Sequence, residues 1–111
     1  MILAIDFDGV IHDHHNPVEG RRMGPPMPGT KETLEKFKAI GDKIIVHSVW
    51  ANQGAGIKTI VDYMEYWALP FDDVTNVKPD ADYYIDDKAL RFTSWSDVAA
   101  RIGLDREREE E

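Results

Sequence analysis

The sequence predicts an α/β fold, a three-layer α/β/α sandwich around a mainly parallel sheet. Short apolar runs of strand length alternate with segments of helical periodicity along the whole chain. Each apolar run stops at polar residues capable of chemistry, and parallel sheets collect their ligand sites beyond the carboxyl ends of the strands. With 111 residues the chain can build one core and not two, so residues 1–104 are expected to form a single domain.

Residues 1–5, Met-Ile-Leu-Ala-Ile, are too short for a helix core and read as a fully buried strand. Two carboxylates, Asp6 and Asp8, follow one residue apart. In extended backbone alternate side chains share a face, so both leave the strand end on the same side. Gly9 then permits a sharp departure of the chain. Crowded carboxylates repel unless a cation or a proton settles between them, which suits Mg²⁺. On this segment alone an Asx turn closing the strand is an equal reading.

Residues 11–28 carry Gly20, Gly24, Pro25, Pro26 and Pro28 and so read as a loop or flap over the strand ends. His12, His14 and His15 lie close together there; in a polar loop this spacing points to solvent exposure rather than to a zinc site. Residues 30–40 have the pattern of an amphipathic helix on Leu34, Phe37 and Ile40, started by Pro28 or Thr30 and ended by Gly41. Residues 43–49 form a second buried strand, with Ile44, Ile45 and Val46 leading to His47 and Ser48. Gly54 and Gly56 open a second helix whose buried stripe is Ile57, Ile60, Val61, Met64 and Ala68, stopping before Pro70. Its Tyr63, Tyr66 and Trp67 read as packing residues. A short strand over 74–77, then Lys78-Pro79, precedes a further strand over 81–85 that ends in Asp86-Asp87. Residues 91–95 suggest a short edge strand, and Ser96 a cap for a last helix closed by Gly103.

Formal charge is −8, which disfavours nonspecific binding to long nucleic acid. Part of the excess sits in the acidic tail, 105–111, which lacks apolar periodicity and is expected to be disordered. No apolar run is long enough to cross a bilayer, and no cysteine is present. A cytoplasmic protein with no membrane partner is the expectation.

At the strand ends stand Asp6, Asp8, Ser48, Lys78, Asp86 and Asp87. Singly each reads as a turn residue or a surface charge. As a set they have complementary roles in phosphoryl transfer: a carboxylate nucleophile, a cation and a lysine to offset phosphate charge, a hydroxyl to orient an oxygen, and a second carboxylate to move a proton. The order Asp6-Phe7-Asp8-Gly9-Val10, Ser48, Lys78 and Ile85-Asp86-Asp87 resembles the four motifs of the haloacid dehalogenase superfamily, over about residues 1–95. That resemblance implies a Rossmann-like fold and a Mg²⁺-dependent phosphomonoester hydrolase working through an aspartyl-phosphate. By it Asp6 is nucleophile and metal ligand, and Asp8 is general acid/base and, through its backbone carbonyl, a metal ligand. Ser48 and Lys78 hold the transferring phosphoryl group, and Asp86 and Asp87 complete the metal site. An acid at Asp8 favours a phosphatase over the family's dehalogenases.

The gaps from Asp8 to Ser48 and from Ser48 to Lys78 are filled by the elements above, leaving no room for a cap domain. The Gly-Arg-Arg-Met-Gly-Pro-Pro-Met-Pro-Gly and Ile-Asp-Asp-Lys-Ala-Leu-Arg-Phe runs are similar to small capless hydrolases of bacteria and phages. Val49-Trp50-Ala51 departs from the small or basic residues usual after the family's second motif. Trp50 reads as packing more readily than as a stacking platform, and Arg21 and Arg22 as surface charge or as contacts to the far side of a substrate. Two other classes share this chemistry. One is a phosphoacceptor receiver-like domain, disfavoured because Lys78 precedes the paired aspartates. The other is a non-catalytic metal-binding module. The partner expected is a phosphorylated substrate, whether a small metabolite, a phosphoprotein or a nucleic-acid end, the last not favoured by charge. A homo-oligomer would be one way to cover the open site.

Overall fold

The computed structural model describes residues 1–13, 23–52 and 54–103, and the side chains of all of these except 50, 52, 54 and 55. His14, His15, Arg21, Arg22, the acidic tail and the Trp50 side chain lie outside what is described.

The fold is the expected α/β Rossmann-like sandwich. Strands β1 (Ile2–Asp6), β2 (Lys43–His47), β3 (Asp73–Thr75) and β4 (Tyr83–Ile85) form one sheet in the order β3-β2-β1-β4. Every pairing is parallel, with Asp6 beside His47 and Ile5 beside Ile85. Helix α1 (Thr30–Ala39) joins β1 to β2, and α2 (Gly54–Tyr66) joins β2 to β3. Both crossovers step the same way across the sheet, so right-handedness puts both helices on one face. The core agrees: Leu3, Ile5 and Phe7 of the first strand and its exit meet Leu34 of α1 and Ile60 and Met64 of α2. The intervening Ala4 and Asp6 turn to the opposite face, where a pocket also holds His47 and Tyr84. The alternation that buries the core thus delivers Asp6 to the other side of the sheet.

Helix α1 ends as expected at Gly41, which takes φ 91° while the Asp42 N–H donates back to Phe37 O and the Gly41 N–H to Lys38 O. Ile40 falls beyond the buried stripe and is exposed. Helix α2 ends in the same hydrogen-bond pattern, Leu69 N–H to Met64 O and Ala68 N–H to Glu65 O. Here the left-handed position, φ 54°, is taken by Ala68. Ala68 is therefore exposed and not part of the buried stripe, and Leu69 fills that place. Ile57 is also exposed, as is Tyr66, whereas Tyr63 packs in the core.

Several expected boundaries shift for identifiable reasons. Strand β2 stops at His47 and not at residue 49, because a 3₁₀ turn over Val49–Asn52, with Ala51 N–H donating to Ser48 O, bends the chain away just after Ser48 N–H makes the last bond across to β3, at Thr75 O. Strand β3 ends at Thr75, whose hydroxyl accepts the Val77 N–H and turns the backbone out. Residues 91–94 form no strand, and Ser94 rather than Ser96 caps the last helix, α3 (Trp95–Ile102), by accepting the Asp97 N–H at 3.1 Å. Gly103 closes α3 as expected. None of the α3 residues is buried, and Phe92, Trp95 and Ile102 are exposed. Among the described residues no helix is long and apolar enough to cross a membrane.

Candidate active site

The site is built where β1 and β4, neighbours in the sheet, both end. Asp6 is the last residue of β1, and Asp86 and Asp87 follow β4 directly. One carboxylate oxygen from each of the three lies within 4.8 Å of the others. Asp6 is partly buried, while Asp86 and Asp87 are open to solvent. Asp86 is oriented by its own turn, accepting the Lys88 N–H at 2.7 Å.

This trio crowds negative charge. Burial is the main cause that pushes the Asp6 carboxyl above the ordinary carboxylate range; the charges of Asp86 and Asp8 push the same way. His47 and the Phe7 backbone N–H oppose the rise. His47 Nδ1 stands 3.8 Å from Asp6 Oδ1 across the strand pair. Three carboxylates and no nitrogen or sulfur make a donor set for a hard divalent cation, and the exposure of two of them leaves room for the waters that Mg²⁺ retains. The residues present therefore fit Mg²⁺.

A pocket of about 120 Å³ opens beside Asp6 and Asp86, lined also by His47, Lys78, Pro79 and Tyr84. The ammonium of Lys78 sits 4.4 Å from the centre of the Tyr84 ring. Tyr84 is itself pinned by donating its hydroxyl to Pro79 O at 2.6 Å. A loop lysine whose charge would otherwise wander is thus held over an aromatic face in the pocket that Asp6 and Asp86 also line.

Of the six residues singled out from the sequence, Asp6, Asp86 and Asp87 converge, and Lys78 lines a pocket shared with Asp6 and Asp86. Asp8 does not join the trio: its Oδ1 is 2.5 Å from His12 Nε2. Ser48 is buried at the start of the 3₁₀ turn, and His47, not Ser48, lines the pocket beside Asp6. The expectation of a solvent-exposed His12 is overturned, since its ring is wholly buried. The chain doubles back at this point: His12 pairs with both Asp8 and Pro26, and Met27 N–H donates to Ile11 O at 2.8 Å. Apolar Phe7 and Tyr63 enclose the ring. The fourth position after Asp8 was the available signal for His12, and adjacency to Ser48 was the signal for His47.

A solved structure described as "Structure of the conserved protein coded by locus from Bacteroides thetaiotaomicron" is similar to this chain, with a TM-score of 0.65 and 24% sequence identity over 94% of this chain and 90% of that one. At that identity the likeness shows the fold alone. No protein-family model matches the chain, and no curated protein does.

Proposed function

We propose that the protein is a Mg²⁺-dependent phosphomonoester hydrolase that works through an aspartyl-phosphate on Asp6. The observation that carries this reading is the meeting of the Asp6, Asp86 and Asp87 carboxylates within 4.8 Å at the ends of two adjacent parallel strands. Lys78 lines the same pocket. The ordered resemblance of these positions to the haloacid dehalogenase motifs supports it independently of the geometry.

Mg²⁺ held by Asp6, Asp86 and Asp87, with the Asp8 carbonyl that the resemblance adds, would offset the charge of a phosphate group. The chain's own residues carry the steps. An Asp6 oxygen attacks phosphorus while the bond to the leaving oxygen breaks, and Asp8 delivers a proton to that oxygen. Asp8 then takes a proton from water, whose oxygen attacks phosphorus; the bond to Asp6 breaks and phosphate leaves. Lys78 neutralises phosphoryl charge throughout. Ser48, whose family role is to hold a phosphoryl oxygen, is buried. We read the protein as cytoplasmic, a reading that a chain without cysteine fits. The exposed apolar residues of the C-terminal segment leave room for a second subunit near the open site.

The test is a hydrolysis screen with Mg²⁺ against nucleotides, sugar phosphates, phosphopeptides and end-phosphorylated oligonucleotides. Continuous release of phosphate, abolished by chelation and restored by Mg²⁺, is the expected result. Uptake of a single phosphoryl group without turnover would favour a receiver-like domain, and full activity after exhaustive chelation would remove the metal from the proposal.

A further inference from the structure

We infer that His12 is the positioning residue of Asp8, a buried imidazole that donates to the acid/base carboxylate and ties it to the end of the flap. The inference rests on the phosphatase reading for the role of Asp8, but its geometry stands on its own.

His12 is 0% exposed. Its Nε2 lies 2.5 Å from Asp8 Oδ1, and the backbone N–H of Gly24 donates to its Nδ1 at 3.4 Å. A ring nitrogen that accepts carries no proton, so the ring proton sits on Nε2 and points at Asp8. The main chain of His12 brackets the same carboxylate: its N–H donates to Phe7 O and its C=O accepts from Gly9 N–H. Asp8 is thus enclosed by bonds from one residue to both of its neighbours and to its own side chain. The ring packs 4.7 Å from the centre of Phe7, and Tyr63, edge-on to Phe7, donates its hydroxyl to Gly24 O at 2.8 Å. Gly24 is held from two sides, so the acceptor role of Nδ1 is set by a fixed group.

A buried polar ring costs stability unless its nitrogens are paired, and Phe or Leu would fill this core position without needing partners. What His adds is a donor at Asp8. With Oδ1 engaged by His12, proton exchange with a leaving group or water is assigned to Oδ2, in one orientation of the carboxylate. Fixing the group in that way belongs to the entropic part of catalysis. A purely structural His12 would stabilise the flap and nothing more.

Two variants separate these roles, His12→Phe, which keeps ring volume without a donor, and His12→Gln, whose amide nitrogen can reach the Nε2 position. In the full chain with Mg²⁺ and an aryl phosphate, His12→Phe should still form phosphoenzyme but break it down on the order of 10²-fold more slowly, the low end of what a proton-transfer group contributes. His12→Gln should recover to within about tenfold of wild type by the same scale. In an Asp8→Asn background His12→Phe should cost nothing further, because its effect passes through Asp8. An equal slowing in both backgrounds, or a folded His12→Phe protein with wild-type turnover, would overturn the inference. A readout free of turnover is the ¹⁵N spectrum of the His12 ring at neutral pH: a proton on Nε2 whose signal moves in Asp8→Asn is expected, and a proton on Nδ1 would overturn the geometry. If wild type hydrolyses no phosphomonoester, the phosphatase reading falls, and the His12–Asp8 link is then decided by the ring spectrum.

Discussion

Replacing Asp6 by Asn should stabilise the metal-free protein while destroying its activity, and the size of the gain follows from the site. Asp6 shares a space of 4.8 Å with Asp86 and Asp87. At that separation two unit charges repel by about 1 kcal/mol in bulk water and about 3 kcal/mol at an effective dielectric constant of 20. Asp86 and Asp87 are exposed, so solvent screening puts each pair at the low end. Against the gain stand the loss of attraction to His47 and of a charge-assisted bond from the Phe7 N–H. A net stabilisation of about 1 kcal/mol remains, worth about 4 °C in Tm for a domain of this size.

The sign with pH follows from the raised carboxyl of Asp6. The folded state binds this proton more tightly than the unfolded chain does, so stability without metal falls as pH rises from the ordinary carboxylate range through the folded value. In Asp6→Asn that fall should be absent. Mg²⁺ reverses the order of the two proteins: at 100 times its Kd a ligand adds about 2.7 kcal/mol to the protein that binds it. Urea unfolding of wild type and variant, in chelator and in saturating Mg²⁺ at matched ionic strength, measures all of this. Wild type should be the less stable protein in chelator and the more stable one in Mg²⁺. A variant less stable than wild type by the same margin in both conditions would refute the claim that Asp6 sits in a repulsive, cation-binding trio.

Further outcomes are expected. Asp8→Asn should accumulate phosphoenzyme from an aryl phosphate, seen as added mass on the intact protein after rapid quench, whereas Asp6→Asn should show none. Lys78→Met should cut kcat/KM on the order of 10²-fold, as removal of one charge-stabilising donor does, with the unfolding midpoint little changed. Ala68→Gly should raise stability by roughly 0.5–1 kcal/mol in urea unfolding, since it relieves a left-handed alanine at the end of α2. Asp72 accepts from Lys38 at 2.7 Å and from the Ile44 N–H at 2.7 Å, which hold its carboxyl below the ordinary range. That stability is present above the unfolded pKa and is lost as pH falls through the folded one, so Asp72→Asn should flatten the acid limb of the unfolding profile. The pair is part-exposed, and the loss near neutral pH should be on the order of 1 kcal/mol.

The sheet and its helices were legible because burial writes its period into the chain. Ile44, Ile45 and Val46 are buried, and Ile60 and Met64 mark the inner side of α2 as their spacing implies. The three converging aspartates were legible for a topological reason: parallel strands all end on one side, so a carboxylate following one strand must approach those following its neighbour. Where boundaries moved, a local turn that the residue types alone do not place had ended or started the element. Ser48 N–H still bonds across to Thr75 O as a strand residue would, but its C=O accepts from Ala51 N–H and the chain turns away. Ser94 and Ser96 are equal capping residues on paper, and only the backbone turn at residue 94 chooses between them.

The two histidines show where such reading stops. Burial of a polar residue depends on partners that arrive from elsewhere, and His12 gains its partners only when Gly24 and Tyr63 close over it. In a segment with no apolar period, composition reports solvent, and the ring's enclosure is invisible. His47 is the converse case. Its period is that of a buried strand, yet strand alternation puts it on the face of Asp6 and away from the helices. A strand-end residue beside a motif position therefore belongs to the site whenever its register partner does, and Asp6 is the register partner of His47. On that ground His47 shares the electrostatics of Asp6 and opposes the rise in its carboxyl that burial, Asp86 and Asp8 produce.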